Sequence, residues 1–364
     1  MGVLYSPGPG TFLALIQTVI FVLLGIIRAI AQNTSTMVPA IITFGDSLVD
    51  VGNNNRLPTV FKANYLPYGR DFFHHRPTGR FCNGKLAIDF AADTLGFKTY
   101  APAYLHSRRE FRRNIRLGAN FASAASGYDD TTAQLTGAIS LSRQLHYFNK
   151  YQNRLVNATG RNQAAIIINN ALYIVSSGSS DFIQNYYINP FINKVYSPNE
   201  YSSMLIRTFK HFIKDLYRLG ARRIGVASLP PLGCLPAVKT LYRHHERGRC
   251  ITRINKDAQG FNEKMNKAAT HLQDTLHELK IIVFDIYTPV YDLVLSPSNY
   301  GFAEAGRGCC GSGTLETTSL LCNTRSIGTC SNATQYVFWD SLHPSEAANR
   351  ILARALISQG ISLL

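Results

Sequence analysis

A serine and a histidine–aspartate pair stand at opposite ends of this 364-residue chain. Near the N-terminus, Gly45-Asp46-Ser47-Leu48 places a serine in a tight turn straight after an apolar run. Near the C-terminus, Trp339-Asp340-Ser341-Leu342-His343-Pro344-Ser345 sets an aspartate and a histidine three positions apart. These residue types make up a Ser-His-Asp triad, in which Ser attacks a carbonyl, His takes its proton and Asp fixes the imidazole tautomer. Such triads are defined by geometry, so their order along the chain is immaterial. The G-x-S-x-G elbow is absent around Ser47, which excludes the version of this chemistry built on that turn. Taken singly, Ser47 reads as a turn or N-cap residue, His343 as a surface-loop histidine and Asp340 as a helix-side cap. The pattern says more. Pro344 pushes His343 out of helical φ/ψ, and a helix then begins at Pro344-Ser345-Glu346 with Ala347, Ile351, Leu352 and Ala355 inward. Asp340, three residues before His343, reaches its Nδ1–H and aims Nε2 at Ser47.

The elements that must position these groups are readable as apolar runs. Residues 38–44 (VPAIITF), 170–176 (NALYIVS), 223–228 (RIGVAS) and 281–287 (IIVFDIY) read as buried strands, and 116–121 (RLGANF) as a weaker fifth. Helices fill the gaps. Ser197-Pro198-Asn199-Glu200 is a capping box with Pro at N1. The helix it opens carries Leu205, Phe209, Phe212, Ile213, Leu216 and Leu219 at three- and four-residue spacing and ends before Gly220. A later helix carries Phe261, Met265, Ala268, Leu272, Leu276 and Leu279. Alternating strands and helices imply an α/β fold with a mainly parallel sheet covered on both faces. Ligands of such sheets bind beyond the carboxyl ends of the strands. Ser47, Gly127 and Ser180 each follow a strand there, so they are candidates for one shared site.

Residues 11–27 (TFLALIQTVIFVLLGII) are uncharged and apolar and lead to Ala29-Ile30-Ala31, a small-x-small pattern. This reads as a secretory signal peptide over residues 1–31, with an uncleaved membrane anchor as the alternative. The remaining chain, residues 32–364, is read as a single domain, secreted to the cell exterior and without a stable membrane anchor after cleavage. The formal net charge of +15 is spread along the chain, with one denser run at residues 108–113 (RREFRR). In an exported protein that charge favours anionic cell-wall polysaccharide over nucleic acid, or simply a solvated loop. Seven cysteines, none in a C-x-x-C pair, argue for disulfides and against zinc. Cys234 and Cys250 are expected to pair, Cys309, Cys310, Cys322 and Cys330 to supply further bridges of undetermined pairing, and Cys82 is the most isolated. Asn33, Asn157 and Asn332 open N-x-S/T sequons and become glycosylation candidates in surface loops. His74-His75 and His244-His245 lack a ligating pattern, so neither metal nor cofactor is expected.

Gly45-Asp46-Ser47-Leu48 with Asp340-Ser341-Leu342-His343 resembles the GDSL, or SGNH-hydrolase, esterase/lipase family, in its plant secreted branch. Supporting blocks are Asp50-Val51-Gly52-Asn53-Asn54-Asn55, Pro77-Thr78-Gly79-Arg80-Phe81, residues 120–127 (NFASAASG), Pro230-Pro231-Leu232-Gly233-Cys234 and Gly308-Cys309-Cys310-Gly311. The resemblance runs from about residue 39 to the end. It implies a flavodoxin-like three-layer α/β/α sandwich with a five-stranded sheet. It implies catalysis by Ser47, His343 and Asp340, and an oxyanion hole made of the Ser47 and Gly127 N–H groups plus a side chain from a G-x-N-D block. That block reads Gly178-Ser179-Ser180-Asp181, so Ser180 stands where the family has Asn. A Ser hydroxyl can donate, but it is shorter and rotates freely. The implied function is a secreted serine esterase or lipase acting on lipid or cell-wall acyl esters through an acyl-enzyme. An acyltransferase would use the same intermediate, and Ser180 leaves room for a catalytically weak binding or modifier protein.

Overall fold

The computed structural model describes residues 36–106, 114–242, 249–311, 322–326 and 329–364. The apolar run at residues 11–27, Asn33, the basic run at 108–113 and His244-His245 lie outside the described residues.

Five short strands form one sheet: β1 (Ile41–Gly45), β2 (Gly118–Asn120), β3 (Leu172–Ser176), β4 (Arg223–Ala227) and β5 (Lys280–Phe284). Their spatial order is β2-β1-β3-β4-β5, and every pair is parallel. All five fall on the runs read as strands, with ends shifted by a few residues. Parallel strands need crossovers, and the helices α1 (Ala87–Thr94), α2 (Asp130–Thr136), α3 (Leu141–Thr159), α4 (Arg161–Asn170), α5 (Pro198–Arg218), α6 (Pro236–Leu241), α7 (Thr252–Thr275), α8 (Tyr287–Leu295) and α9, which begins at Glu346 and ends at Gly360, supply and cover them. The sheet is all-parallel rather than mainly so, because every connection carries a helix.

The α5 capping box forms as read. Glu200 N donates to Ser197 Oγ, and Ser197 N donates to the Glu200 carboxylate. α7 stops at Thr275, so Leu276 and Leu279 lie beyond the helix, with Leu279 buried in the turn into β5. On α9 Ala348, Leu352 and Ala353 are buried, and Ala347 and Ile351 of the expected stripe are partly buried against the same core. A second sheet that periodicity did not signal pairs β6 (Glu304–Gly308) with β7 (Tyr336–Phe338) in parallel. A π-helix, Asp181–Ile188, follows β3 directly.

Side-chain alternation along the strands splits the interior. Ile42, Phe44, Tyr173, Val175, Ile224 and Val226 point into the main core beneath α3, α5 and α7. Ile41, Leu172 and Phe284 point the other way, into a smaller cluster with Ala92 and Leu95 of α1. Next to it Arg80 and Asp89, both buried, form a two-pronged ion pair at 2.8 Å on each arm. Asp89 also accepts from Leu86 N at the start of α1, and Arg80 stacks on Phe72. One carboxylate thereby fixes a helix start to the loop ahead of it. Removing one partner of a buried pair leaves an uncompensated charge, a loss of about 3 kcal/mol or more. Asp89→Asn is expected to lower the unfolding free energy by that amount in urea titrations; a loss below about 1 kcal/mol would show that the pair is not a fixed point of the fold.

Candidate active site

Ser47 sits in the turn leaving β1, half-buried at the carboxyl edge of the sheet. Gly45 makes the turn feasible. Its φ is 132°, and a Cβ there would lie 1.8 Å from the Ser176 carbonyl oxygen. The Gly45 carbonyl accepts from Ser123 N (2.9 Å), Ser126 Oγ (2.6 Å) and Gln144 Nε2 (2.9 Å), and Gln144 Oε1 accepts from Gly45 N (2.8 Å). Asp46 Oδ1 accepts from Leu48 N at 3.1 Å, closing a small turn around Ser47. The serine is thus presented on a clamped backbone.

His343 arrives from the loop ahead of α9. Its Nε2 lies 2.7 Å from Ser47 Oγ, and its Nδ1 lies 2.8 Å from both carboxylate oxygens of Asp340. A carboxylate only accepts, so in the neutral ring Nδ1 carries the hydrogen and Nε2 is left to accept from Ser47. Asp340 is fully buried. It also accepts from Leu342 N (2.9 Å), His343 N (2.8 Å) and Tyr68 Oη (2.7 Å). Burial alone would raise its pKa, but His343 and these donors hold it below the usual carboxylate value. The imidazole rests against Phe81, ring centres 4.9 Å apart.

Two loops complete the surroundings. In the loop after β1, Asp50 accepts from Gly52 N and Asn53 N and, from the loop after β2, Ala124 N, while Asn53 Nδ2 donates to the carbonyls of Asn120 and Ala122. These bonds tie the loop carrying Gly127 to the one carrying Ser47. Asp181 accepts from Tyr128 N (2.7 Å), Asp129 N (3.2 Å) and Thr132 Oγ1 (2.6 Å). A Cβ at Gly127 would lie 2.0 Å from Asp181 Oδ1, so only glycine fits there. Among the described residues, the N–H groups of Ser47 and Gly127 have no acceptor. Ser180 is buried at the start of the π-helix, and its hydroxyl makes no hydrogen bond among the described residues.

Cys234 bonds to Cys250, Cys309 to Cys330 and Cys310 to Cys322, while Cys82 is free and buried. The last two bridges brace the strip beneath Asp340, where Cys310 N donates to Trp339 O at 2.7 Å and Arg70 lies over the Trp339 ring. Asn157 and Asn332 are exposed, but Asn157 lies inside α3 rather than in a loop. His74 and His75 are exposed on a short 3-10 turn. No group of three potential metal ligands occurs among the described residues. Tyr68 and Gln144 were not singled out by sequence, since each acts through a partner about a hundred or more positions away. Asp181 could have been read as a clamp from its place as the last residue of the Gly178 block.

The family model for GDSL-like lipase/acylhydrolase matches residues 41–356. The GDSL esterase/lipase APG of Arabidopsis thaliana is 62% identical over 328 residues, 90% of this chain and 92% of that protein. Two further Arabidopsis thaliana proteins named GDSL esterase/lipase are 57% and 54% identical, covering 92% and 90% of this chain and 92% and 93% of their own lengths.

Three buried carboxylates surround the Ser47 turn, and burial pushes each upward: Asp46 to about 7, Asp181 to about 7 and Asp50 to about 6, against backbone donors that pull the other way. In the unfolded chain such groups titrate near 3.8. Between these limits the folded state binds protons that the unfolded state has lost, so stability is fully present below about pH 4 and falls as pH rises through 6 to 7. Asp340 has the opposite sign, but its window lies below 3.8. The melting temperature is therefore expected to be higher at pH 5 than at pH 8, and Asp46→Asn to flatten the difference. Calorimetric scans showing stability climbing from pH 5 to 8 would contradict this reading.

Proposed function

From the premise that the chain belongs to the GDSL-like lipase/acylhydrolase family and is a carboxylic-ester hydrolase, we propose that it works outside the cell through Ser47, His343 and Asp340, on lipid or cell-wall acyl esters. Ser47 Oγ attacks the ester carbonyl carbon as its proton passes to His343 Nε2. The tetrahedral intermediate collapses, the alcohol leaves with the Nε2 proton, and the acyl group stays on Ser47. Water then attacks the acyl-enzyme, gives its proton to Nε2, and the acid is released as Ser47 recovers that proton. The unpaired N–H groups of Ser47 and Gly127 are the proposed donors to the developing oxyanion. Ser180 is the proposed third.

The observation that carries this reading is the run of contacts from Ser47 Oγ through His343 to a buried Asp340, with 2.7 Å and 2.8 Å separations. The buried carboxylate stabilises the imidazolium that forms in each half-reaction. Export is supported by the apolar run at residues 11–27 and by three disulfides, which persist in oxidising compartments. No helix among the described residues is long and apolar enough to cross a membrane. A formal charge of +15 supports adherence to anionic cell-wall polysaccharide.

A fluorophosphonate probe is expected to modify Ser47 in the mature protein, as read by peptide mapping, and Ser47→Ala to abolish the adduct. Modification at another serine would remove this mechanism. Ser180→Ala is expected to lower kcat more than it changes KM, because an oxyanion contact acts in the transition state. Ser180→Asn, with its longer donor, is expected to match or exceed the parent rate. Kinetics of Ser180→Ala equal to the parent would take Ser180 out of the oxyanion hole.

A further inference from the structure

The two carboxylate oxygens of Asp340 are held differently. Oδ1 accepts from two N–H groups of its own loop, Leu342 N at 2.9 Å and His343 N at 2.8 Å. Oδ2 accepts from a side chain 272 positions away, the Tyr68 hydroxyl at 2.7 Å. The last torsion of an aspartate is broad, so bonds to one oxygen leave the plane of the carboxylate loosely defined. That plane matters here, because His343 Nδ1 lies 2.8 Å from both oxygens.

Tyr68 is fully buried, and its ring stands edge-on to Tyr65, Phe81 and Trp339 at centre separations of 5.6, 5.8 and 6.3 Å. Three rings therefore fix where the hydroxyl points. Gly69 N donates to Cys82 O at 2.9 Å, which ties this segment to the stretch carrying Phe81, and the Phe81 ring lies 4.9 Å from that of His343. The span from Tyr68 to Phe81 thus holds Asp340 by a hydroxyl and His343 by a ring. Burial, then the Asp340 charge, pushes the Tyr68 phenol well above its ordinary pKa, so it keeps its proton and stays a donor.

We infer that Tyr68 is a positioning residue of the triad: its hydroxyl fixes the Asp340 carboxylate against the His343 Nδ1–H and draws off part of the negative charge that would otherwise favour the imidazolium. The inference rests on the Ser47, His343 and Asp340 reading and deepens it. No proton leaves Tyr68. Nε2 takes the Ser47 proton, Nδ1 keeps its own, and the phenol stays neutral. A hydrogen bond to a charged group is roughly twice as strong as a neutral one, so its removal is large enough to read. Without the hydroxyl the carboxylate is less well placed, which slows turnover. Its charge also concentrates on the histidine side, which favours the imidazolium and moves the acid limb of the rate profile to higher pH.

Other ionisable groups face this pair. Tyr65 and Cys82 lie near Tyr68, and burial pushes both upward, so both stay neutral. Arg70, a permanent cation, stands over the Trp339 ring. Asp46 faces His343 from the turn after β1, and burial pushes it to about 7, within the range to be scanned. The comparison is therefore made in the parent and again in an Asp46→Asn background.

The test is the pH profile of kcat and kcat/KM for p-nitrophenyl acetate between about pH 5 and 9. Tyr68→Phe removes the hydroxyl and keeps the ring. It is expected to move the acid limb up by about half a unit in both backgrounds, and to lower kcat at the plateau about fivefold with KM within about twofold. 3-Fluorotyrosine at position 68, a stronger donor, is expected to move the limb down, and it reads the inference should Tyr68→Phe fail to fold. Tyr65→Phe, a change in a ring packed against Tyr68, is expected to leave the profile in place. Fluorophosphonate labelling with peptide mapping is run on each protein. Acid limbs that coincide in the parent, the Tyr68→Phe and the fluorotyrosine proteins, with Ser47 labelled in all three, overturn the role of Tyr68 and leave the triad standing. A change confined to KM or to melting temperature is packing alone and overturns it equally. A parent that takes no label at Ser47 removes the triad, and the role of Tyr68 with it.

Discussion

The buried carboxylate of Asp340 is the constraint around which this end of the molecule is built. An ionised carboxylate out of water is very costly unless donors surround it. Asp340 has four: two backbone N–H groups from its own loop, the His343 ring and the Tyr68 hydroxyl. The first two require a tight turn between β7 and α9. The last requires a segment some 270 positions upstream to be held against that turn. The Tyr68 ring packs edge-on against Phe81 and Trp339, and Arg80 ties the same segment to α1 through Asp89. The small second sheet and two of the disulfides support the turn from below, with Cys309 N and Cys310 N bonded to the carbonyls of Phe338 and Trp339. Features that look separate along the chain meet one electrostatic demand.

The other buried carboxylates meet a different one. Asp50 and Asp181 accept backbone N–H groups from loops that would otherwise lie over the strand ends as unpaired polar chain. They tie the loops that carry Ser47 and Gly127. Asp181 is the stricter of the two, because its oxygen occupies the space where any side chain at position 127 would begin. A fixed donor geometry needs no reorganisation when charge develops, which is the main advantage of such a site over water. Burial and neighbours set opposite signs: Asp340, beside a group that becomes cationic, is held low, while Asp46, Asp50 and Asp181 are pushed up by desolvation.

What could be read from the chain follows from the range of each interaction. β1, β3, β4 and β5 are short apolar runs, and the α5 capping box lies within four residues, so local pattern was enough for both. The family resemblance implied a five-stranded sheet, but the order β2-β1-β3-β4-β5 emerges only in the fold, since periodicity does not encode which strands are neighbours. β6 and β7 escaped because Glu304–Gly308 is mostly polar or glycine and Tyr336–Phe338 is only three residues long. Pairing among Cys309, Cys310, Cys322 and Cys330 is combinatorial until the fold brings sulfurs together. Gln144 is a polar residue in the first turn of an amphipathic helix, and nothing in its sequence neighbourhood shows that it bonds both the N–H and the carbonyl of Gly45. Hydrogen bonds across a hundred positions leave no local trace.

The two faces of the sheet differ in a way that bears on how stability and activity are divided. The face under α3, α5 and α7 is filled by aromatic side chains in mutual contact, among them Phe44, Phe121, Phe148 and Phe212. Dense packing of that kind is what fixes a unique backbone. The face under α1 and α9 carries mainly aliphatic side chains, such as Ile41, Leu172 and Ile174, and leaves an apolar cavity of about 120 Å³. Filling it would add dispersion contacts and buried area, so the sequence forgoes stability there. Proteins commonly do so where function needs room, and supply the rigidity elsewhere. In this chain the rigidity comes from the aromatic core on one face, from the disulfides under Asp340 and from the carboxylate clamps at the strand ends. The turn bearing Ser47 lies where the packed face, the unpacked face and the clamps meet.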